Sequence, residues 1–520
     1  MTLKDLQGLY KQGNGDKMTA SKGLVWLRRD LRIHDHHALR MATQSCQQVW
    51  VAFVFDTDIL NHLLERGLQK DRRIDFIWQS LQEIDSELRT KGGGLIVRHG
   101  KATEIIPELA AQLGVGAVFT NKDYEPAAIE RDRIVSLAPE SKDIAFHGYK
   151  DQVIFENKEV LTGQGGVFSV FTPFKNAWLR KLQATDLDAH AVDLDGGRFA
   201  VIPKSLDLAF PSLKSMGFEA SDIESYLPTG MSGASQLFEE FLDRMDHYHA
   251  TRDFPAVKGP SYLSVHSRFG TISIRALVRE AHHRMLTGSM GATIWLSELI
   301  WRDFYFMILS NHPRLAPSLK KQVLTHGTSG HESFKPDYDK IVWESGAKAQ
   351  KLFKAWCEGK TGYPLVDAAM HQLNQSGYMH NRLRMVVACF LIKDLGIDWR
   401  WGEQYFADHL NDFDFAANNG GWQWASSSGC DAQPYFRIFN PITQSEKFDA
   451  EGKFIKKYLP QLSKLSKKAI HAPWLAGDIE LDLAGVRLGR DYPPPIVQHD
   501  EARKNTLIRY AVVKKEISEQ

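Results

Sequence analysis

The chain has 520 residues, of which 43% are hydrophobic and 24% are charged, proportions that are typical of globular proteins. This length predicts two or three domains, and the composition excludes global disorder and collagen-like repeats. The 64 Lys and Arg residues against 63 Asp and Glu give a net charge of +1, so any nucleic-acid site should be a local basic patch. No apolar run is long enough to span a bilayer, and we expect no membrane segment. None of the four cysteines forms a CxxC pair, so we expect no disulfide framework or zinc site, and a cytoplasmic protein.

The first part of the chain alternates short apolar runs with amphipathic stretches. The runs have the length of strands and are rich in β-branched or aromatic residues, whereas the stretches between them have helical spacing. This alternation predicts an α/β domain with a Rossmann-like parallel sheet over residues 22–150. No G-x-G-x-x-G follows the first strand, so the usual dinucleotide fingerprint is absent. The predicted strands are Leu24–Leu27, Val49–Phe55, Gly94–Val97, Ala117–Thr120 and Ile144–Phe146, and the predicted helices include Arg72–Leu88 and Ala102–Leu113.

The rest of the chain divides into a connector and a helical domain. Residues 151–230 contain scattered Gly and Pro, which predicts a long connector. Over residues 231–505 apolar residues recur at helical spacing, which predicts an all-α domain. Residues 1–21 belong to a polar N-terminus that lacks the apolar centre of a signal peptide, and we expect residues 1–21 to be dispensable. The predicted helices of the second half include Gln236–Tyr248, Ile274–Leu286, Thr293–Leu309, Tyr363–Gln375 and Asn381–Leu395.

One helical segment combines acidic, basic and aromatic side chains on a single face. Glu298, Trp301 and Arg302 are spaced by three and four residues, so they share one side of a helix. An amphipathic helix with a surface ion pair between Glu298 and Arg302 would also explain this pattern. The segment is therefore a candidate site whose function the spacing alone does not decide.

Two later segments are also candidates. Asn381, Arg384 and Met385 share a helical face, which a helix with a basic side would also explain. The run from Asp412 to Trp424 contains two acids, two asparagines and two indoles within thirteen residues, which is dense for a simple turn. Nine of the 13 tryptophans follow residue 290, which indicates a large aromatic core, a stacking surface or both.

Three histidines near the N-terminus could suggest a metal site. His34, His36 and His37 lack Cys or carboxylate partners nearby in the sequence. We therefore expect a solvated loop there and no metal ion.

Taken together, these segments resemble the photolyase/cryptochrome family, and most closely its bacterial class I branch, which repairs cyclobutane pyrimidine dimers. The resemblance extends from about residue 23 to about residue 500, and its strength lies in seven motifs in the right order. The motifs are Leu27-Arg-Arg-Asp-Leu-Arg32, Phe171-Thr-Pro-Phe174, Arg252-Asp-Phe-Pro255, Glu298-Leu-Ile-Trp301-Arg302, Gly362-Tyr-Pro-Leu-Val-Asp-Ala-Ala-Met370, the Asn381 helix and Asn418-Asn-Gly-Gly-Trp422-Gln-Trp424.

The resemblance implies light-driven DNA repair by a lyase. Such enzymes bind UV-damaged DNA as monomers and hold fully reduced FAD in the helical domain. Excited FAD passes an electron to the flipped-out dimer, the ring splits and the electron returns. The resemblance implies that Trp301 and Trp424 form apolar walls for the dimer. It also implies that Glu298 forms a hydrogen bond with the thymine edge and that Asn381 and Met385 line the same pocket. It assigns Arg382 and Arg302 to DNA contacts.

The same resemblance implies a set of cofactor residues. Asn418 matches the family position that faces flavin N5, and Arg384 with Asp412 matches a buried pair against the ring. Trp422, Trp399 and Trp343 match the electron-transfer chain, although the spacing at Trp343 departs from the family pattern. The residues expected to bind FAD are Tyr248, Ser261, Leu263, Ser264, Trp295, Arg302, Arg384, Asp412, Asp414 and Asn418.

The antenna chromophore is left open by the sequence. Folate-binding relatives have an Asn-Glu pair where this chain has Ala127-Ala128. Asp123 and Arg268 are similar to residues of deazaflavin-binding members. The resemblance therefore favours a deazaflavin-type antenna over a folate, and it also allows no antenna at all.

Three other functions would fit part of this pattern. A cryptochrome would share the fold, FAD and the tryptophan chain, but it often has a long C-terminal extension and loses lesion-pocket residues. Enzymes that repair (6-4) photoproducts have histidines at the positions of Asn381 and Met385. A flavin electron carrier that never binds DNA would not need the base-sized aromatic pocket.

Overall fold

In the computed structural model, the structure describes residues 20–138, 140, 143–317 and 332–516, with only the backbone of 514–516. These residues form two compact units. The first comprises the described residues of Met1–Val167, Lys175–Met245 and Ser261–Asn311, and the second those of Phe168–Phe174, Asp246–Pro260 and His312–Gln520. The prediction for residues 1–21 falls on a segment of which 1–19 lie outside the described residues. The functional boundaries at 150 and 230 stay a prediction.

The described residues of the first unit contain a five-stranded parallel sheet, with the strand order β3-β2-β1-β4-β5. This confirms the predicted α/β domain and its five strands, with small changes at the strand ends. From β1 the chain adds β2 and β3 on one side, and it then returns to add β4 and β5 on the other side of β1. The strand order therefore changes direction between β1 and β4, and such a point forms a crevice at the carboxyl ends of the strands. The strands are β1 Lys22–Leu27, β2 Gln48–Asp56, β3 Leu95–Gly100, β4 Ala117–Asn121 and β5 Ala145–Tyr149.

Helices cover both faces of this sheet. Leu24, Val25, Trp26 and Leu27 are each at most 1% exposed, as expected for the central strand of a parallel sheet. The predicted helix Ala102–Leu113 is confirmed, and Arg72–Leu88 continues to Thr90. The helices before residue 312 are α1 His37–Ser45, α2 Thr57–Glu65, α3 Arg72–Thr90, α4 Ala102–Leu113, α5 Pro126–Leu137, α6 Phe171–Lys181, α7 Gly230–Leu242, α8 Tyr248–Thr251, α9 Ser264–Phe269, α10 Ile274–Leu286 and α11 Met290–Asn311.

The second unit is helical around a core rich in indole rings. Trp356, Trp399 and Trp422 are each at most 2% exposed within one hydrophobic cluster, which contributes much of the burial that stabilises the unit. The predicted all-α fold of the C-terminal part of the chain is thus confirmed. Its helices are α12 Gly346–Cys357, α13 Pro364–Ser376, α14 Asn381–Cys389, α15 Trp399–His409, α16 Phe415–Ser426, α17 Pro441–Phe448, α18 Lys453–Tyr458, α19 Asp478–Ala484 and α20 His499–Arg509.

Two predicted helices differ from the structure. The helix predicted over Gln236–Tyr248 begins earlier and ends at Leu242. The helix predicted over Asn381–Leu395 is α-helical only to Cys389, and a π-helical turn follows over Phe390–Asp394. Lys393 and Asp394 are buried in that turn, and their side chains bond to Ser427 and His499. Distant partners therefore decide the backbone there, and local periodicity could not reveal them.

The expectation of a solvated loop is wrong for His36, whose side chain is 0% exposed. Its Nε2 lies 3.0 Å from Asp30 Oδ2, and its Nδ1 accepts from Leu39 N at the start of α1. Within the described ranges, no three His, Cys, Asp or Glu side chains gather in a way that could hold a metal ion. Among those same residues, none of the helices has the length and apolar character needed to span a bilayer.

Candidate active site and cofactor-binding residues

Helix α11 of the first unit contains Trp295, Glu298, Trp301 and Arg302. Trp295 is 4% exposed, and its ring centroid lies 4.8 Å from that of Phe241. The other three side chains are only partly buried. The helix thus holds one indole rigidly in the core and leaves a carboxylate, an indole and a guanidinium accessible along its length.

Contacts within the first unit orient the exposed residues of α11. The Trp301 ring packs against Phe304 at 5.5 Å and Tyr305 at 5.4 Å between centroids. Arg302 donates to the carbonyl of Gln152 and lies over the Phe306 ring, with 4.6 Å from Cζ to the centroid. Both side chains are therefore held by neighbours before any ligand binds.

Asp303 is a residue of α11 that sequence reasoning missed. Its carboxylate is 1% exposed, and Oδ2 accepts from Ile154 N at 3.1 Å, Phe155 N at 3.3 Å and Trp178 Nε1 at 3.0 Å. Burial raises the pKa of Asp303 to about 6, although these hydrogen bonds and the charge of Arg302 oppose the shift. Asp303 therefore fixes α11 to Ile154 and Phe155, which follow β5, and to Trp178. No local pattern in the sequence marks it.

A tight turn before α9 contains Ser261 and Leu263, two of the residues expected to bind FAD, and leads into a third, Ser264. Tyr262 has a φ of +60°, which is unusual for a residue other than glycine. Ser261 Oγ accepts from Leu263 N at 3.4 Å, and α9 begins at Ser264. Leu263 is 2% exposed, so its side chain fixes the turn while the two serines remain accessible.

Helix α14 of the second unit brings Asn381, Arg382 and Met385 together. Asn381 is exposed and Met385 is partly exposed, as residues that meet a ligand should be. Arg382 pairs with Asp253, with 2.9 Å between Nη2 and Oδ1, and its Cζ lies 4.7 Å from the centroid of the Phe448 ring. Asp253 is not among the predicted site residues, although it belongs to the Arg252-Asp-Phe-Pro255 motif.

Arg384 and Asp412 form the predicted ion pair, with 2.8 Å between Arg384 Nη2 and Asp412 Oδ2. Arg384 Nε also donates to Met379 O at 2.9 Å, so the guanidinium is fixed from two sides. The other oxygen, Asp412 Oδ1, is buried and accepts no hydrogen bond from any residue that the structure describes. Asp414 caps α16 by accepting from Ala416 N at 3.1 Å, which fixes the start of that helix.

A chain of amide side chains holds Asn418 in place. Asn418 Nδ2 donates to the carbonyl of Glu403 at 3.0 Å, which leaves its Oδ1 as an acceptor. The buried carboxylate of Glu403 accepts from Asn419 Nδ2 at 2.9 Å, and Gln423 Nε2 donates to Asn419 Oδ1 at 2.8 Å. Sequence reasoning missed Glu403, which lies 15 residues before Asn418, outside the motif.

Two further aromatic site residues lie in the second unit. Tyr248 is 9% exposed, and the guanidinium of Arg252 lies 5.3 Å from the centroid of its ring. Trp424 is partly buried at the edge of the hydrophobic cluster. The partly exposed Trp424 can therefore meet a ligand, whereas Tyr248 is largely enclosed by the protein.

The three predicted electron-transfer tryptophans differ in burial. Trp422 on α16 is 2% exposed, Trp399 on α15 is 1% exposed, and Trp343 is only partly buried. Helices α15 and α16 approach closely at Gly402, where a Cβ atom would lie 2.0 Å from the Trp422 ring. The order along the predicted chain therefore runs from two buried indoles to one with access to solvent.

The predicted antenna residues lie beside the carboxyl ends of β1 and β4. Arg29 Nη1 lies 3.3 Å from Asp123 Oδ1 and 3.0 Å from Glu125 Oε1, and Arg268 Nη2 lies 3.7 Å from Glu125 Oε1. Burial opposes ionisation of Asp123, but the charges of Arg29, Arg28 and Arg268 hold its pKa below the ordinary value. The structure thus brings Asp123 and Arg268 into one charged cluster.

The chain matches two family models. The one described as "DNA photolyase" matches residues 23–192, and the one described as "FAD binding domain of DNA photolyase" matches residues 295–512. Deoxyribodipyrimidine photo-lyase of Vibrio cholerae is 38% identical over 504 residues, which cover 94% of this chain and 99% of that protein. The protein of the same name from Escherichia coli is 39% identical over 504 residues, which cover 95% of this chain and 99% of that protein.

Solved structures of similar proteins agree with these matches. A bacterial class III photolyase from Agrobacterium tumefaciens has a TM-score of 0.84 and 33% identity, covering 97% of this chain and 100% of that chain. A cryptochrome from Synechocystis has a TM-score of 0.79 and 26% identity, covering 94% of this chain and 98% of that chain. This chain therefore belongs to the photolyase/cryptochrome family and contains both its DNA photolyase domain and its FAD-binding domain.

Proposed function

We propose that this protein repairs cyclobutane pyrimidine dimers in UV-damaged DNA, using light and bound FAD. The observation that carries the proposal is the near full-length match to relatives named deoxyribodipyrimidine photo-lyase. The dimer is split at carbon–carbon bonds without a net redox change, which makes the reaction that of a lyase. It is the reaction that the resemblance to the class I branch predicts.

The polar groups of the second unit fit a flavin. Asp412 Oδ1 is a buried acceptor that lacks a donor among the described residues, and Asn418 presents a carbonyl oxygen because its Nδ2 is already used. Both suit the N–H groups of a reduced flavin ring. When bound, reduced FAD absorbs near-UV or blue light and supplies the electron that opens the dimer. The residues proposed to hold it are Tyr248, Ser261, Leu263, Ser264, Trp295, Arg302, Arg384, Asp412, Asp414 and Asn418.

The proposed lesion pocket uses aromatic walls and one carboxylate. A dimer must leave the base stack, which costs a few kcal/mol, and a lesion that already pairs poorly costs less. Stacking of a base on Trp301 or Trp424 contributes about 1–3 kcal/mol per base, which offsets that cost. Glu298 would hydrogen-bond the thymine edge, and Asn381 and Met385 would line the pocket.

Arginines would fix the damaged strand. Arg382 would contact a phosphate beside the lesion, exchanging its pairing with Asp253 for that contact. Arg302 would place a second positive charge beside the DNA, and it would also contact FAD. Because the net charge of the whole chain is only +1, DNA binding should depend on such local groups.

Trp422, Trp399 and Trp343 would reduce oxidised FAD under light. The change from buried indoles to a partly exposed one supports a path from the protein interior to the surface. The antenna, whose alternatives are a deazaflavin, a folate or none, is proposed to be of the deazaflavin type, since Asp123 and Arg268 share one cluster. The protein is proposed to act in the cytoplasm as a monomer.

The deciding experiment uses the chemically reduced, FAD-containing protein and UV-irradiated oligothymidine. Under blue light, the absorbance of the thymine band should recover, and a dark control should show no change. Recovery in the dark, or none in the light with reduced FAD present, contradicts the proposal. A parallel substrate that contains (6-4) photoproducts should remain unrepaired.

A further inference from the structure

Exposed apolar side chains surround the last tryptophan of the proposed electron-transfer chain. The partly buried Trp343 directly follows Val342 in the sequence. Four residues, which we call the exit patch, are exposed by 81% at Val342, 60% at Phe436, 73% at Ile508 and 45% at Val512. Apolar side chains that cluster at a surface mark interaction sites. None of the four belongs to the residues assigned to FAD or to the lesion.

A buried tyrosine connects Trp343 to Phe436. The centroid of the Tyr510 ring lies 6.0 Å from that of Trp343 and 6.1 Å from that of Tyr435. The Tyr435 ring in turn lies 5.6 Å from that of Phe436. Tyr510 is 0% exposed and its hydroxyl donates to Ser426 O at 2.9 Å, so it fixes the rings that pack against it.

The end of α20 brings the aliphatic members of the exit patch to the same place. Ile508 and Val512 lie two residues before and two residues after Tyr510. Arg509 Nε donates to Val342 O at 3.1 Å, which fixes the end of α20 beside Val342. The four members are therefore anchored around the same buried ring.

The charges beside the exit patch favour an anion. Arg509 is already paired, with 2.7 Å between its Nη2 and Glu344 Oε1. Arg437 directly follows Phe436, is exposed and makes no ion pair with another residue that the structure describes. Its guanidinium is always ionised, so a ligand that stacks on Phe436 would be attracted if it carried a negative charge.

We propose that the exit patch is the docking surface for a small, negatively charged aromatic reductant, which restores Trp343 after light-driven reduction of FAD. The ring of this reductant would lie on the apolar side chains, and its anionic group would meet Arg437. The inference rests on the proposed function, because it requires that the electron chain end at Trp343.

The redox step balances with one molecule of a phenolic donor. Light-driven reduction of FAD would leave the Trp343 indole one electron short, as a radical cation. The donor gives this indole one electron and releases its phenolic proton to water. Neutral Trp343 is thereby regenerated, and the donor becomes a phenoxyl radical. The donor needs no contact with FAD, since its electron enters the chain at Trp343.

The test is flash photolysis of the full-length protein that contains oxidised FAD, in the absence of DNA. The decay of the oxidised-indole absorbance is measured at rising concentrations of 2,5-dihydroxybenzoate, an anionic aromatic donor. The decay rate should approach a plateau, because the donor binds before it reacts. Hydroquinone, which lacks the carboxylate, should need at least about fivefold more to reach half of its plateau. A rate that rises linearly without a plateau, or equal half-saturation by the two donors, overturns the proposal.

Two variants locate the site. Phe436→Ser and Arg437→Gln should each raise the half-saturating concentration of 2,5-dihydroxybenzoate at least about threefold. The control is Leu483→Ser, which alters a side chain on α19 that is 81% exposed and should leave this concentration unchanged. Unchanged half-saturation in either patch variant contradicts the inference. So does a decay rate that changes on dilution of the protein, which would indicate a second copy of the chain on the patch.

The same experiment separates this inference from the proposed function. If the flash produces no oxidised indole, the proposed electron chain is wrong and the inference fails with it. If the indole is oxidised but its decay shows no plateau, only the docking surface is refuted. Repair by chemically reduced protein should be equal in Phe436→Ser and the unsubstituted protein, because that reaction does not use Trp343.

Discussion

Arg384 and Asp412 form an ion pair of 2.8 Å that leaves Asp412 Oδ1 buried and without a hydrogen bond among the described residues. The pair is rigid because Arg384 also donates to Met379 O at 2.9 Å. Partly buried pairs such as this one contribute little net stability, since desolvation offsets much of their attraction. In this site the pair instead fixes the position of Asp412, so that its Oδ1 is available to a cofactor.

Substitution Asp412→Asn should therefore weaken FAD retention. A hydrogen bond to a charged group contributes about 1.5–3 kcal/mol, which corresponds to roughly a tenfold or greater change in affinity. The ratio of FAD to protein after gel filtration, read from flavin absorbance, measures the effect. Asp482→Asn on α19, an exposed acid of the same unit, is the control and should retain full FAD content. Equal FAD content in the two variants would show that Asp412 does not contact the cofactor.

Glu298→Ala should lower the repair yield per absorbed photon while FAD stays bound. The proposed hydrogen bond between Glu298 and the thymine edge favours the reduced dimer, and its loss should cost about tenfold in the ring-opening rate. Actinometry of dimer repair with reduced protein gives the yield. Ser297→Ala, which removes only a bond to Thr293 O on the same helix, serves as the control. An unchanged yield in Glu298→Ala would exclude the proposed role.

The alternation of strands and helices in the first unit could be predicted because the sheet is buried on both faces. The central run Leu24–Leu27 is apolar throughout and is followed by Arg28, so burial and sequence pattern coincide. The same reasoning failed for His36, because its partner Asp30 precedes it in a turn whose path no periodicity describes. Local sequence patterns therefore predict strands and helices, but they do not predict which buried polar side chains pair with each other.

In the candidate site, too, the sequence predicts which residues share a helix but not which distant residues hold them. Helical spacing placed Glu298, Trp301 and Arg302 together, and the structure has them on α11. The partners that hold site residues come from distant parts of the chain, as Asp253 does for Arg382 at a separation of 129 residues. Such partners are set by tertiary packing, so one sequence alone could not identify them.

Trp422→Phe should prevent light-driven reduction of oxidised FAD and leave repair by chemically reduced protein intact. Phenylalanine fills most of the same space but is far harder to oxidise than an indole. The bleaching of oxidised flavin under blue light with an added reductant follows the reaction. Trp356→Phe is a matched control, because Trp356 is also fully buried and lies 6.2 Å from Trp422 between ring centroids. Persistent photoreduction in Trp422→Phe would mean that electrons take another path.

Arg382→Ala should weaken binding to damaged and undamaged DNA by a similar factor. A phosphate contact carries no sequence information, and its loss should reduce the slope of log K against log salt concentration by about 0.9. Fluorescence anisotropy over a salt series measures that slope. Arg490→Ala, an exposed arginine of the same unit paired with Asp491, should leave it unchanged. An unaltered slope in Arg382→Ala would remove this residue from the DNA interface.

Asp303 should make the stability of the first unit depend on pH. Burial raises its pKa to about 6 from an ordinary value of 3.8. The folded chain therefore binds this proton more tightly than the unfolded chain does. The resulting stabilisation is fully present below about pH 3.8 and is lost as the pH rises through about 6.

Asp303→Asn should remove this dependence, because the amide oxygen can still accept from Ile154 N, Phe155 N and Trp178 Nε1. Relative to the unsubstituted protein, the variant should become more stable between pH 4 and pH 7, by an amount on the order of 2–3 kcal/mol. Urea unfolding at several pH values, followed by tryptophan fluorescence, gives the difference. Asp394, whose pKa burial also raises to about 6, is present in both proteins and cancels in the comparison. A difference in unfolding free energy that stays constant from pH 4 to pH 7 would show that Asp303 is ionised throughout that range.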